Sequence, residues 1–300
     1  MNVLVSGSTG LVGTALIPIL TATGREVIRL VRSNSRNPSK ELIGWNPEAN
    51  YIDAAGMEGL DAIVHLAGEP IASGRWSPMK KARIRDSRIR GTQLLCEALA
   101  HTARPPKVLA CASAIGFYGD RSDEVLVEAS SSGEGFLAEV CRDWEAATEP
   151  ARRKGIRVVN LRFGVILSRH GGALAKMLTP FKMGVGGIIG SGRQYMSCIA
   201  LDDCVGAILH ALMQDSLSGP VNVVGPTPVT NGEFTKTLGK ILGRPTILPM
   251  PAFAARLAFG EMADELLLCS NRVEPKKLLE SGFPFQYPTV DLALRHALGK

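Results

Sequence analysis

Three glycines near the start of the chain, Gly7, Gly10 and Gly13, recur at three-residue spacing. They lie between an apolar run, Val3-Leu4-Val5, and a run from Leu11 to Leu20 with helical periodicity. Strand, glycine turn and helix, in that order, is how a backbone cradles a diphosphate. Gly7 permits the tight turn, Gly10 lets the main chain approach an anion with no Cβ in the way, and Gly13 lets the helix pack close to the strand. The helix N-terminus adds free N–H groups and the positive end of its dipole. Ser8, Thr9, Leu11 and Val12 complete the candidate phosphate loop. Strand-to-helix turns also carry glycines for structural reasons alone. Here the flanking strand and helix favour a nucleotide.

The next candidate stands about twenty residues further on. Glu26 to Val31 reads as the second strand, and Arg32 follows at its tip. Folds selective for NAD usually place an acid there to hold the ribose 2′-hydroxyl; a guanidinium fits a 2′-phosphate instead, which points to NADP. Ser33, Ser35 and Arg36 offer further donors, and a solvated loop arginine is the plainer alternative.

Asp61 to Gly68 returns to a buried strand ending in small residues, Leu66-Ala67-Gly68, over which a cofactor can lie. His65 sits inside its apolar run and reads as a satisfied core histidine. Pro78 to Ala100 reads as one long helix whose first half is crowded with Lys80, Lys81, Arg83, Arg85, Arg88 and Arg90. A run of this kind is usually a solvated face. Arg88, which shares a face with Arg85, is the best candidate to turn inward toward phosphate.

Lys107 to Ser113 is a further strand, and Ser113 at its carboxyl end is placed to hydrogen-bond a carbonyl or alcohol, or simply to cap its own turn. Tyr118 follows closely as a second proton-transfer candidate. Glu128, Lys176 and Tyr195 fall in segments that can face a substrate cleft.

The rest of the chain supplies the scaffold. Residues 33–60 read as irregular and polar, with Trp45-Asn-Pro matching no signature. Glu134 to Lys154 reads as a second long helix and Arg157 to Leu167 as a long strand. The glycine-rich run from Gly184 to Gly192 reads as a flexible substrate-side loop, since it lacks the Lys-Ser/Thr ending of an ATPase loop. Leu201 to Leu209 opens a helix, Val221 to Gly225 is a late strand, and Thr230 to Leu242 is a helix capped by Thr230 or Asn231. Pro251 to Leu268 and Glu274 to Glu280 look helical. This alternation defines an α/β chain, a Rossmann-type doubly wound parallel sheet with a smaller C-terminal substrate lobe. Residues 1–170 form the nucleotide domain, to which segments such as 200–225 return. Residues 171–300, including a helical stretch over 244–300, form mainly the lobe.

A 300-residue chain with 21% charged residues and a net charge of +6 not gathered into a tail is an ordinary globular protein, not a nucleic-acid binder by charge. Six cysteines show no metal-ligand spacing, so buried free thiols in a reducing compartment are expected. No apolar run is long enough to span a bilayer, and Met1 leads directly into the first strand. The expectation is a cytoplasmic protein, a monomer or homodimer, acting on a small molecule with no metal.

The chain resembles the extended short-chain dehydrogenase/reductase family of NAD(P)-dependent epimerases and dehydratases. Gly7-x-x-Gly10-x-x-Gly13, His65-Leu-Ala-Gly68, Ser113…Tyr118-Gly119, Arg162-Phe-Gly-Val165 and Leu201-Asp202-Asp203 carry the likeness. Cys141-Arg-Asp-Trp-Glu-Ala-Ala147, the Met183–Gly192 run and the segment from Gly243-Arg-Pro245 point to an atypical branch. That resemblance implies an NADP(H) site formed by the glycine loop, Arg32, Leu66, Ala67, Arg88 with Arg83, and Ile166 near Gly164. It implies an oxidoreductase or epimerase of a small carbonyl or nucleotide-sugar-like substrate. Alternatively, because some members carry a cell- or plastid-division label, it implies a silent NADP(H) sensor. The family's Tyr-x-x-x-Lys proton relay is missing. Aligned on Glu145, its positions hold Leu137 and Cys141; shifted by one, Phe136 and Val140. No tyrosine of the chain has a lysine four residues later.

Overall fold

The computed structural model describes residues 1–33 and 39–300. The first three strands are β1 (Asn2–Ser6), β2 (Glu26–Arg32) and β3 (Leu42–Asn46), followed by β4 (Tyr51–Ile52) and β5 (Ala62–His65). Then come β6 (Val108–Ala114), β7 (Val125–Leu126), β8 (Arg157–Phe163), β9 (Val165–Leu167), β10 (Tyr195–Met196), β11 (Cys198–Ala200), β12 (Gly219–Val223), β13 (Val229–Thr230) and β14 (Arg272–Val273). Helices α1 (Leu11–Ala22), α2 (Pro78–Ala100), α3 (Phe136–Ala146), α4 (Glu149–Arg153) and α5 (Gly172–Lys182) cover the first part. Helices α6 (Leu201–Met213), α7 (Asn231–Leu242), α8 (Ala252–Phe259), α9 (Lys276–Glu280) and α10 (Val290–Leu298) follow, with a π-helical turn over Ala263–Leu268.

Eight strands form one sheet in the order β12-β8-β6-β5-β1-β2-β3-β4, parallel except for the β3–β4 pair. The chain leaves β1 toward β2 on one side and resumes with β5 on the other. This reversal opens a crevice at the carboxyl ends of the strands, where α/β sheets bind ligands. The strands alternate their cargo, as a pleated strand must. Val3 and Val5 join Val64, Leu16 of α1 and Ile208 of α6 on one face. Leu4 and Ile63 join Leu95 and Leu99 of α2 and Trp144 of α3 on the other. Each such fully buried side chain contributes roughly 1.5–3 kcal/mol. A third cluster joins α5, α7 and α10 through Leu174, Phe181, Phe234, Leu238 and Leu294. The late strand β12 returns to the main sheet beside β8.

Five local readings need correction. The stretch taken as irregular contains β3, whose Ile43 and Trp45 are buried in the sheet's core. The helix expected from Glu134 to Lys154 breaks after Ala146. Pro150 lacks an N–H to continue it, and the Thr148 hydroxyl donates to the Glu145 carbonyl at 2.6 Å. The strand expected from Arg157 to Leu167 divides at Gly164, where a Cβ would stand 2.4 Å from the Ser197 carbonyl oxygen; β9 then pairs with β11. The helix from Pro251 ends at Gly260, which has a φ of 63°. The glycine-rich run is not loose either: Gly190 N–H donates to the Met250 carbonyl and Met250 N–H to that of Ile188. All six cysteines are unpaired, and burial pushes the thiols of Cys96, Cys141, Cys198 and Cys269 up to about 12.

Candidate active site

The crevice has two ends of different character. At the first, the turn after β1 has the geometry of a phosphate cradle. Gly7 adopts φ 66°, and a Cβ there would strike the Leu66 backbone at 2.8 Å. At Gly13 a Cβ would come within 2.3 Å of the Gly7 carbonyl oxygen. Both positions therefore require glycine. Gly10 is the N-cap of α1 and supplies no side chain to its first turn, which also lacks any acid. The N–H groups of Leu11 and Val12 thus have no side-chain cap, which is the state an incoming anion needs. Thr9 is exposed at the rim, while Ser8 is buried.

The floor of this end is set by a buried polar chain that local sequence could not reveal. Ser6 Oγ accepts from the N–H groups of Leu66 and Ala67 (3.0 and 3.1 Å) and lies 2.7 Å from His65 Nδ1. His65 Nε2 lies 3.1 Å from Thr92 Oγ1, to which Trp144 Nε1 also donates at 2.8 Å. Because Ser6 spends its own proton on Nδ1, the network assigns the neutral Nε2–H tautomer to His65. Burial lowers the His65 pKa to about 4, which agrees with a core role.

Cations ring this floor. Arg32 projects from the tip of β2, 70% exposed, with Nη1 3.5 Å from Glu48 Oε1. Ser33 donates its N–H to the Trp45 carbonyl; Ser35 and Arg36 lie outside the described residues. Arg83 is largely exposed, 3.9 Å from Glu69. Lys80 makes the closer pair with Glu69 (2.6 Å) and lowers that carboxyl's pKa, chiefly through this hydrogen bond. Arg88 folds inward under Gly68, with Nη1 donating to the Glu69 and Ile84 carbonyls at 3.0 and 3.1 Å, while Arg85 turns to Glu139. No carboxylate lies within ion-pair distance of Arg88 among the described residues, and burial lowers its pKa. On the far side, α5 starts against the phosphate loop: a Cβ at Gly171 would touch Leu11 at 3.3 Å. Lys176 reaches the Ala72 carbonyl across the crevice. Ile166 pairs with Ile199 just beyond Gly164.

The second end is closed. Arg162, at the tip of β8, clamps Glu145 of α3 through Nε to Oε1 (2.7 Å) and Nη2 to Oε2 (2.8 Å). Ser113 Oγ donates to the same Oε1 at 2.7 Å. Arg162 Nη1 donates to the Tyr118 hydroxyl (2.9 Å), which donates to Asn222 Oδ1 (2.7 Å). The Arg162 guanidinium also lies 3.5 Å from the centre of the Phe117 ring. Burial is the largest single influence and works against the Arg162 charge, yet Glu145 and Tyr118 together outweigh it and raise its pKa. Burial also raises the Tyr118 pKa. Ser113 is 2% exposed and Tyr118 fully buried. The two candidates are therefore brought together, but by a carboxylate and a guanidinium that sequence reasoning had used only as alignment marks.

Of the other proposed acids and bases, Glu128 borders this network, its carbonyl accepting from Arg162 Nη1 at 3.4 Å. Glu128 is buried, its Oε1 accepting from the N–H groups of Asn222 and Lys277. Tyr195 packs under Arg272. Leu137 and Cys141 line α3 facing Gly116, at the positions of the missing proton relay. Glu265, from the π-helical turn, accepts from the N–H groups of Phe136 and Leu137 (3.0 and 3.2 Å) and so caps α3 from 128 residues away. Among the described residues no metal-binding cluster occurs, and no helix is long and apolar enough to cross a membrane.

A parallel sheet, a glycine cradle at its topological switch and a cation beyond the second strand define a dinucleotide-binding α/β protein. Residues 3–225 match the NAD dependent epimerase/dehydratase family, to which this chain belongs, and residues 250–297 match a domain of unknown function (DUF1731). The chain is 47% identical to epimerase family protein Mb2239 of Mycobacterium bovis, over 98% of its own length and 97% of that protein's. It is similar to the crystal structure of human epimerase family protein SDR39U1 with NADPH (35% identity, TM-score 0.89, all of both chains). A nucleoside-diphosphate sugar epimerase from Corynebacterium glutamicum is also similar, at 39% identity and TM-score 0.82, over all of this chain and 58% of that one.

Proposed function

We propose that this protein binds NADP(H) across the crevice and is an oxidoreductase or epimerase of a small carbonyl or nucleotide-sugar-like substrate. The observation that carries the reading is the uncapped N-terminus of α1 facing an open crevice, with Arg32 at one edge and Arg88, held by two backbone carbonyls, at the other. The α1 N–H groups take the diphosphate, Arg32 the 2′-phosphate, and Leu66, Ala67 and Gly68 the ribose edge. The human protein crystallised with NADPH supports the choice of nucleotide. When bound, the nicotinamide supplies or accepts the hydride. This chain must then manage a proton without the family's tyrosine and lysine. Ser113 Oγ is the hydroxyl at the strand end, and Glu145 Oε1 is the next stop for a proton it receives. Tyr118 serves mainly to orient Arg162.

A second reading, a silent NADP(H) sensor, is favoured by the same closed network, because the protons of Ser113 and Tyr118 are already given to Glu145 and Asn222. The test is a nucleotide titration followed by nicotinamide absorbance with a carbonyl library. NADPH oxidation that disappears in Ser113→Ala supports the enzyme. Stoichiometric binding without turnover supports the sensor, and no affinity for either nicotinamide nucleotide sinks both.

A further inference from the structure

The Trp45-Asn-Pro motif that matched no signature has a structural job. Trp45 is buried under α2, its ring 3.2 Å from where a Cβ at Gly91 would be. Asn46 Oδ1 accepts from the N–H groups of Glu48 and Ala49 (3.0 and 3.3 Å), folding Pro47–Ala49 into one helical turn that Asn50 closes at φ 50°. This anchored turn presents the Glu48 carboxylate to the Arg32 guanidinium at 3.5 Å.

We propose that Glu48 is a specificity residue that competes with the 2′-phosphate for Arg32 and narrows the preference for NADP(H) over NAD(H). The inference rests on the reading that a nicotinamide nucleotide occupies the glycine cradle. Arg32 and Glu48 are 70% and 81% exposed and meet as charges, without an aligned hydrogen bond between them. A contact this loose does not fix the guanidinium's orientation, so it contributes little to preorganisation. Its larger effect is on what arrives. A 2′-phosphate reaching Arg32 meets a carboxylate already there, and like charges at this range repel. A ribose 2′-hydroxyl meets an acceptor instead, the role an acid plays in NAD-selective folds. One edge of the site thus holds both recognition elements, a cation on the strand and an anion on the turn.

The test is direct titration of purified protein with NADPH and with NADH, followed by nucleotide fluorescence at low salt, where exposed charges act most strongly. Glu48→Gln is expected to tighten NADPH binding about three-fold or more and to leave NADH unchanged or weaker. Glu26→Gln, at the opposite end of β2, removes the same charge and should change neither. An unchanged ratio of the two affinities in Glu48→Gln, or weaker NADPH binding, overturns the proposal while leaving the cofactor reading intact if the unaltered protein binds. Failure of the unaltered protein to bind either nucleotide overturns both.

Discussion

The two ends of the crevice use their polar groups in opposite ways. Around the glycine cradle, the first-turn N–H groups of α1 lack a side-chain cap, Arg32 is exposed with only Glu48 at ion-pair distance among the described residues, and Arg88 donates to backbone carbonyls. Around Ser113, the hydroxyl, the carboxylate, the guanidinium and the phenol answer one another at 2.7–2.9 Å. One end leaves its helix N-terminus uncapped and its cations exposed or bonded to carbonyls; the other closes on itself. Ser113, Glu145 and Arg162 also join β6, β8 and α3.

The sharpest way to break the comparison is at Arg162. Arg162→Met leaves Glu145 buried without its partner and should cost about 3–5 kcal/mol of stability, read as a fall in the thermal midpoint. The fraction still folded should bind NADPH as before; a parallel loss of affinity would join the two ends.

The buried chain under the cradle answers to pH. The folded His65 pKa of about 4 lies below its ordinary value near 6.5, so between those values the unfolded chain binds a proton that the folded one refuses. Stability is thus undiminished above about pH 6.5 and falls as pH drops toward 4, by on the order of 3 kcal/mol from this group. His65→Gln should flatten that slope in thermal melts taken from pH 7.5 to 4.5.

The open end should show the reverse pattern. Arg32→Asp should weaken NADPH about 10- to 100-fold, as loss of a charge-assisted contact implies, with little effect on NADH or on the melting temperature. Equal losses for both nucleotides would remove the phosphate argument. The smallest effect is expected at Tyr118→Phe, which deletes one hydroxyl from the closed network. About 1–2 kcal/mol of stability should go and cofactor affinity should stay, measured by melting and titration on the same sample.

What could be read from sequence was local. The spacing of Gly7, Gly10 and Gly13 reports a single turn, and the β–turn–α order around it needs only neighbouring residues. The long helix from Pro78 to Ala100 was legible for the same reason, since its pattern is contiguous. β3 was hidden because Leu42-Ile-Gly-Trp-Asn is short, interrupted by glycine and flanked by polar residues. The closed network was invisible because its members meet only after folding: Ser113 and Glu145 are 32 residues apart, Tyr118 and Arg162 are 44. Arg88 was named for the face it shares with Arg85, but only the fold shows that it lies under Gly68 and donates to the Glu69 and Ile84 carbonyls.

The clasp of Glu265 on the start of α3 has an engineering consequence. Its carboxylate takes the two N–H groups at Phe136 and Leu137, while the Asn222 amide donates to the Glu274 carbonyl. The last stretch of chain is thus woven into the half that cradles the nucleotide. Anyone wishing to transplant the nucleotide-holding half into another scaffold would have to bring this distant strap along, or redesign the helix it fastens.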